Sequence, residues 1–221
     1  MNKRLKPLFW GGRYYHLIKL RQCNEYVIDK YIKGHNRSLL DFGCGECPYK
    51  PIIAPHVKAY IGADITLNEH AQLLINPETG HIDVGDNHFD TLLSTQVLEH
   101  VISPTNYLRE AHRVLKQDGL LILSTHGYWM YHPDPTDFWR WTRDGLEKII
   151  RDEGFEIVET LGIFNRFTSG LQLMQDALIH KLPNGPRQVW NSIFAVLQLI
   201  FDNGRLNNRD ASVYMVVAKK K

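Results

Sequence analysis

The sequence predicts an α/β fold in which a seven-stranded sheet lies between two layers of helices. Short apolar runs recur along the chain, each bounded by turn residues and each the length of a buried strand. Segments with helical spacing of apolar residues separate several of these runs. Strands that alternate with helices favour a mostly parallel sheet covered on both faces, so we expect a three-layer sandwich.

Seven strands follow from the apolar runs. The first is SLLDF and the fifth is GLLILST, and both are bounded by residues that favour turns. The predicted strands span 38–42, 59–65, 71–75, 89–95, 119–125, 155–161 and 212–220.

Helices are predicted before, between and after these strands. Ser103 or Thr105 is a suitable cap for a helix that ends before Gly119. Other helices are expected at about 14–33, at 142–154 and, as a pair, within 163–208. We therefore expect a single domain, 1–221, with a helical segment (1–35), a core (36–162), a helical insertion (163–208) and a last strand (212–220).

Composition limits the classes of function. Lys and Arg number 26 against 24 Asp and Glu, so no strong positive field attracts nucleic acid and we expect no nucleic-acid partner. Three cysteines do not suggest the disulfide framework of a secreted domain. No apolar run reaches the roughly 18 residues of a membrane span. A soluble, cytoplasmic protein is the expectation.

The stretch LLDFGCGECPYK, residues 39–50, allows three interpretations. Cys44 and Cys47 form a C-x-x-C pair where a strand meets a helix, and a helix N-terminus lowers a thiol pKa. Zinc is less favoured, because a closed site needs four ligands and no second ligand pair appears. We expect no metal, and two buried thiols in a tight turn are the simplest outcome.

A nucleoside pocket explains more of this stretch. Gly43 and Gly45 allow the close backbone approach that a ligand-cradling turn needs, and Asp41 ends the strand beneath it. Asp64 ends the next strand, where a carboxylate is suited to accept hydrogen bonds from ribose hydroxyls. A dinucleotide-binding turn would have a third glycine where Pro48 stands, and Pro48 instead favours the opening of a helix.

Five segments in this order resemble the motifs of class I S-adenosylmethionine-dependent methyltransferases. The chain is similar to the small bacterial subgroup with an L-E-H motif, methyltransferase type 11-like, over about 36–162. One departure is KQDG at 116–119, where the family usually has K-P-G-G. The matching segments are LLDFGCGECPYKP, YIGADI, DNHFDTLLSTQVLEHV, YLREAHRVLKQDGLLILSTHG and HPDPTDFWRWTRDGLEKIIRDEGF. The resemblance implies a Rossmann-like fold with an antiparallel last strand and S-adenosyl-L-methionine as cofactor.

Cofactor-binding residues carry over by position. Asp41 and the turn at Gly43, Cys44 and Gly45 would hold the methionine part, and Asp64 with Ile65 would bind the ribose. The other cofactor-binding candidates are Glu78, Thr79 and Gly80 near adenine, and Gln96 and Leu98 on the sulfonium side. An equally good interpretation of Glu78 is a solvated turn residue.

Catalytic candidates follow the fourth and fifth strands. A hydroxyl acceptor must lose a proton, so His100, His126, His132 and Asp134 are candidate bases. The segment 126–142 is aromatic and proline-rich and is our candidate for an acceptor lid. The competing interpretation is a rigid loop whose polar side chains bond its own backbone.

The helical insertion has two interpretations. Residues 189–201 are apolar around much of a helix, which favours burial against the domain or against a second copy in a homodimer. The alternative is contact with a membrane surface or a lipid-linked acceptor, because basic residues flank the segment.

The sequence therefore predicts an enzyme that methylates a small-molecule, saccharide or lipid-linked acceptor, with a preference for oxygen. The amino-methylating tetrapeptide N-P-P-[YF] does not follow the fourth strand, where STQVLEH stands. A non-catalytic cofactor-binding partner subunit is the alternative, and a nucleotide-dependent oxidoreductase is less favoured.

Overall fold

The computed structural model describes residues 3–221 and confirms the expected sheet between two helical layers. All strands run parallel except the last, which is antiparallel to both of its neighbours. The strand order across the sheet is β3-β2-β1-β4-β5-β7-β6. The strands are β1 Ser38–Phe42, β2 Ala59–Asp64, β3 Leu73–Leu74, β4 Phe89–Thr95, β5 Leu115–His126, β6 Phe155–Ile163 and β7 Val213–Lys220.

Six α-helices accompany the sheet in the described part of the chain. Ser103, one of the two candidates, caps the third helix, because its hydroxyl accepts the N–H of Asn106 at 3.3 Å. Thr142 caps the fourth through the N–H of Gly145 at 3.1 Å. The helices are α1 Tyr14–Val27, which continues as a π-helical turn to Ile32, α2 Lys50–Ile53, α3 Pro104–Val114, α4 Arg143–Asp152, α5 Arg166–Ile179 and α6 Asn184–Phe201.

Apolar residues pack on both faces of the sheet. Within β1, Leu39 belongs to the cluster that includes α1, and Leu40 belongs to the cluster beneath α3. Successive side chains of a strand point to opposite faces, so a strand buried on both sides reads as a continuous apolar run. This is why SLLDF shows no polar alternation before Asp41.

The largest differences from the predicted boundaries lie in the third strand and around the start of the fifth. The third strand is only Leu73–Leu74 rather than 71–75, since the side chain of Asn68 holds the preceding segment in a turn. The fifth strand begins at Leu115 instead of Gly119, and α3 ends at Val114. Asp118 has a left-handed φ of 63°, so 116–119 is an irregularity inside β5 and not a loop before it.

Pro48 does not open a helix, contrary to the prediction. The short helix α2 begins at Lys50, and the proline in its first turn is Pro51. Cys47 has a left-handed φ of 46° and donates its N–H to the carbonyl of Cys44 at 2.8 Å. A tight turn therefore separates the glycine segment from the helix.

The insertion forms α5 and α6, but most apolar residues of 189–201 are not buried against the domain, which was one of the two forms of burial that the favoured interpretation allowed. Of the nine Val, Leu, Ile, Phe and Trp residues within 189–201, Phe194 alone is buried, while Val189, Ile193 and Ile200 are exposed. The buried face of α6 instead carries Asn191 and Gln198 among its few buried positions. Within the described residues, no helix combines the length and apolarity that crossing a membrane requires.

A buried hydroxyl connects α3 to the end of β1, and its removal gives a test of the fold. The hydroxyl of Tyr107 lies 2.8 Å from the carbonyl of Phe42 and 2.9 Å from the hydroxyl of Ser94. We expect Tyr107→Phe to lower the free energy of unfolding by about 1–3 kcal/mol, because buried polar atoms lose their partner. Urea denaturation measures the change.

The control for that measurement is Tyr131→Phe, since Tyr131 is 73% exposed. Its removal should change the free energy of unfolding by less than about 0.5 kcal/mol. Equal effects of the two substitutions would contradict the importance of the Tyr107 contacts.

Candidate cofactor and active site

The turn after β1 is shaped by two glycines. Gly43 has a φ of 84°, and a side chain there would place its Cβ 2.5 Å from a methyl group of Val97. Gly45 has a φ of 52°, yet nothing lies within 4 Å of the position its Cβ would take. Gly43 is therefore required by its packing and conformation, whereas Gly45 faces open space where a ligand could approach its backbone.

The backbone closes this turn against β2. The N–H groups of Gly43 and Cys44 both donate to the carbonyl of Ala63, at 2.8 and 2.9 Å. Asp64, the last residue of β2, accepts the N–H of Gly45 at 2.6 Å and the N–H of Ile65 at 2.7 Å. The structure thus brings Gly43, Gly45 and Asp64 to one edge of the sheet, and the exposed Ile65 follows directly.

Asp41 lies beneath the turn and is buried. Burial raises the pKa of its carboxyl to about 7, although the hydroxyl of Tyr60 donates a hydrogen bond to it and opposes the shift. Sequence analysis missed Tyr60, because its approach to Asp41 depends on the parallel pairing of β1 with β2, in which Tyr60 lies opposite Leu39. A positively charged ligand group near Asp41 would favour the ionised form of its carboxyl and lower its pKa.

The two cysteines of the turn are buried and free, as the simplest interpretation expected. Burial raises the pKa of both the Cys44 and the Cys47 thiol, which is the reverse of what a reactive dithiol needs. Among residues 3–221, no group of three or more His, Cys, Asp or Glu side chains is arranged to hold a metal ion. The geometry therefore gives no support to a redox or zinc site here.

The segment after β4 lies against the glycine turn through Val97. Gln96 has a left-handed φ of 59°, and its side-chain N–H donates to the hydroxyl of Ser124 at 3.1 Å. Its side-chain oxygen is buried without a hydrogen-bond partner. Leu98 is fully buried in the core, so only its backbone could face a ligand.

Residues 78–80 form a turn held by Asn76, whose side chain accepts the N–H of Glu78 at 3.0 Å and of Thr79 at 3.1 Å. Thr79 lines a separate open cleft of about 620 Å³ that also involves Lys220. Ile75 connects this turn to the end of β2, because its N–H donates to the carbonyl of Asp64 at 2.8 Å. Glu78 is exposed, which fits its interpretation as a solvated turn residue.

Three of the four catalytic candidates lie together. The ring centroids of His100 and His132 are 5.9 Å apart, and those of His126 and His132 are 6.2 Å apart. Glu99 lies at the base of this cluster, fully buried, with one carboxylate oxygen 3.0 Å from His126 Nδ1. Asp134 is exposed in the lid and makes no hydrogen bond in the described part of the chain.

Burial determines the charge of this cluster. It raises the pKa of Glu99 to about 7 and lowers the pKa of His126 well below its usual value. The pKa of His132 is also lowered, first by burial and then by the neighbouring His100. Neutral imidazoles at pH 7 are the form that accepts a proton.

The lid, residues 126–142, is an irregular loop fixed at its base. Arg140 donates to both carboxylate oxygens of Asp137, at 2.6 and 2.5 Å, and Asp137 also accepts the N–H of His132 at 2.6 Å. The N–H groups of Phe138 and Trp139 donate to the carbonyl of Glu99. This agrees with the interpretation of a loop braced by its own polar groups, and it shows that Arg140 is already paired.

A contribution from α1 was missed by sequence analysis. The guanidinium of Arg13 lies 4.5 Å from the ring centroid of Trp129 in the lid, and the ring of His16 lies 4.5 Å from the same tryptophan. Arg13 also donates to Asp176 of α5 at 2.7 Å. No local pattern reveals such contacts, since they join segments more than 100 residues apart.

The pKa of Asp41 gives a testable pH dependence. Its carboxyl stays protonated in the folded protein up to about pH 7 but ionises near 3.8 when unfolded. The folded state therefore binds more protons in this window, and the free energy of unfolding falls as the pH rises through it. We expect the wild type to lose up to about 4 kcal/mol relative to Asp41→Asn between these limits.

Guanidinium denaturation of both proteins at pH 4.5, 6 and 8 measures that difference. Subtracting the variant removes contributions of other titrating groups. A difference that stays constant with pH would contradict a raised pKa for Asp41.

Comparison with known proteins agrees with this geometry. A family model described as a methyltransferase domain matches residues 21–160. A Ruegeria pomeroyi protein named ubiquinone biosynthesis O-methyltransferase is 30% identical over 185 residues, covering 69% of this chain and 75% of its own length. The solved structure of an S-adenosylmethionine-dependent methyltransferase from Archaeoglobus fulgidus has a TM-score of 0.58 at 17% identity, covering 93% of this chain and 94% of that one.

Another relative is matched over a smaller part of its length. A Mycolicibacterium smegmatis protein named a probable S-adenosylmethionine-dependent methyltransferase is 24% identical over 143 residues, covering 58% of this chain and 56% of its own. The chain thus spans about half the length of that relative. The family match covers more than half of this chain and includes β1 to β5 and the turn after β1, so the protein belongs to the S-adenosylmethionine-dependent methyltransferases.

Proposed function

We propose that this protein transfers a methyl group from S-adenosylmethionine to a hydroxyl of a small-molecule, saccharide or lipid-linked acceptor. The observation that carries the proposal is the histidine cluster on Glu99, which follows β4 and β5 beside the segment that touches Gly43. A proton acceptor next to a methyl-donor turn is what hydroxyl methylation requires.

The residues of the turn fit the cofactor. Gly45 offers an open backbone position, Asp64 offers a carboxylate beside it, and Gln96 has a buried side-chain oxygen without a partner. We infer that Asp64 binds the ribose hydroxyls and that Asp41 attracts the ammonium of the methionine part. When bound, the cofactor supplies an electrophilic methyl group on a positively charged sulfur, which leaves as a neutral thioether.

His132 is the proposed general base. Its ring makes no hydrogen bond within residues 3–221, and its pKa is lowered, so its neutral nitrogen is available to take the acceptor proton. His100 is engaged through Nδ1 by the carbonyl of Thr136, and His126 is buried between Glu99 and Trp129. These two histidines would position the lid and His132 rather than take the proton themselves.

The lid supports an aromatic or sugar-like acceptor. Tyr128, Tyr131, Phe138 and Trp139 are exposed, and such rings stack on flat or saccharide surfaces. The preference for oxygen is supported by the relative that carries O-methyltransferase in its name. A partner subunit without catalysis would keep the turn but need no available base such as His132.

The first experiment is calorimetric titration with S-adenosylhomocysteine, with NAD as the control ligand, followed by a screen of phenols, saccharides and lipid-linked alcohols. Formation of S-adenosylhomocysteine with one acceptor class supports the proposal. Cofactor binding without turnover on any class would favour the partner subunit, and preferential NAD binding would favour an oxidoreductase.

Asp64→Ala tests the ribose assignment. We expect S-adenosylhomocysteine affinity to fall by at least about tenfold, because hydrogen bonds to a charged group contribute about 1.5–3 kcal/mol. The control is Asp118→Ala, whose carboxylate is 70% exposed and pairs with Lys219 in β7. Unchanged affinity in Asp64→Ala would remove Asp64 from the site.

His132→Ala tests the base. We expect kcat to fall by about 100-fold while S-adenosylhomocysteine affinity is unchanged, since general base catalysis contributes about 10²–10⁴. The acidic limb of the pH profile of kcat should also disappear. His35→Ala, at an exposed position after α1, is the control. A wild-type profile in His132→Ala would assign the proton to another group.

A further inference from the structure

Helices α5 and α6 expose apolar side chains and bury polar ones. The outward stripe of α6 runs through Val189, Ile193, Val196 and Ile200, and Ile200 is 65% exposed. In α5, Met174 is 61% exposed. A surface helix of a globular protein normally has the opposite arrangement.

Hydrogen bonds hold the polar residues inside the pair. Gln175 donates to Asn191 at 3.1 Å, and Gln198 donates to Gln172 at 3.2 Å. Gln172 in turn donates to Asp176 at 3.2 Å. Because this buried network occupies the facing sides of both helices, rotating either helix to bury its apolar stripe would leave buried polar groups unpaired.

The N-terminal segment extends the exposed apolar surface of the two helices. The side chain of Asn191 donates to the carbonyl of Trp10 at 3.0 Å, which fastens this segment to α6. Phe9, Trp10, Val189, Ile193, Val196 and Leu197 line an open groove of about 550 Å³. At the other end of the face, the rings of Phe167 and Phe201 are 4.9 Å apart.

Basic residues outnumber acidic ones around this face, which we call the apolar face (residues 8–10 with the outward sides of α5 and α6), and Asp202 and Asp210 beside it pair with Lys19 and Arg166. The first 24 residues contain no Asp or Glu, and Asp176 is the single acidic residue in 163–201. Asp176 is buried and paired with Arg13. Lys3, Lys6 and Lys181, by contrast, are exposed.

We propose that the apolar face docks on the surface of a bilayer that contains anionic lipids, with α6 lying parallel to the surface. Apolar side chains would enter the headgroup region while the flanking lysines meet anionic headgroups. A second copy of this chain fits less well, because two such faces would bring lysines of the same sign together. Docking of this kind does not depend on the proposed methyl transfer.

The position of the face connects it with the candidate acceptor site. Trp10 precedes Arg13 by three residues, and Arg13 contacts Trp129 of the lid. A docked molecule would therefore hold its lid next to the membrane surface. Access to a lipid-linked acceptor follows from this placement, a consequence that rests on the proposed function.

The test is co-sedimentation of the full chain with two kinds of vesicle. One kind contains phosphatidylcholine alone, and in the other about one-third of the lipid is the anionic phosphatidylglycerol. We expect binding to the anionic vesicles to exceed binding to neutral ones at least about tenfold and to weaken as NaCl is raised. The variant Val189→Gln, Ile193→Gln, Ile200→Gln should bind at least about a hundredfold less.

Val158→Gln is the matched control, because Val158 is 48% exposed on β6 and lies outside the apolar face. The same samples are titrated with S-adenosylhomocysteine. An unchanged affinity in the triple variant shows that it is folded, and binding by the wild type supports the methyltransferase assignment independently of the vesicles. Equal sedimentation of the triple variant and the wild type would overturn the proposal. The proposal would also be overturned if the wild type did not bind vesicles but formed a dimer, and the triple variant were a monomer.

Discussion

β1 pairs in parallel with β2 on one side and with β4 on the other. This pairing determines where the turn after β1, Asp64 and the segment after β4 lie in the candidate site. The register sets Asp41 opposite Gly62, so the two strands end at nearly the same height. The carbonyl of Ala63 then accepts two N–H groups from the turn after β1, and Val97 packs against Gly43. Because Gly43 tolerates no side chain, the turn and the segment after β4 form one rigid edge.

Glu99 connects the second half of the site to that edge. Its carboxylate accepts a hydrogen bond from the hydroxyl of Thr125 at 2.7 Å and lies beside His126. Its backbone carbonyl accepts hydrogen bonds from two N–H groups of the lid. A carboxyl that is fully buried is costly unless it is protonated or well bonded. Its raised pKa reflects this cost, and its contacts join the ends of β4 and β5 to the lid through one residue.

The pair α5–α6 follows a different physical rule from the rest of the chain. In the sheet, apolar side chains are removed from water on both faces, and the polar groups of the candidate site lie at the ends of the strands. In the pair, glutamine and asparagine side chains satisfy one another inside, and the apolar surface faces outward. Arg13 joins this pair of helices to the lid, because it pairs with Asp176 of α5 and contacts Trp129.

The sequence by itself determined the order of strands and helices along the chain, two candidate caps for α3 at Ser103 and Thr105, and a glycine turn after β1 with Asp64 at the end of the next strand. These depend on local rules: the length and bounding of apolar runs, cap chemistry, and glycine's access to positive φ. Only the tertiary structure decided that Tyr60 bonds Asp41, that Arg13 reaches the lid, and which side of α6 faces outward. The polar side of α6, which carries Asn191 and Gln198, would ordinarily face solvent, and it lies inside because amide side chains of α5 pair with it, a choice that only long-range packing makes.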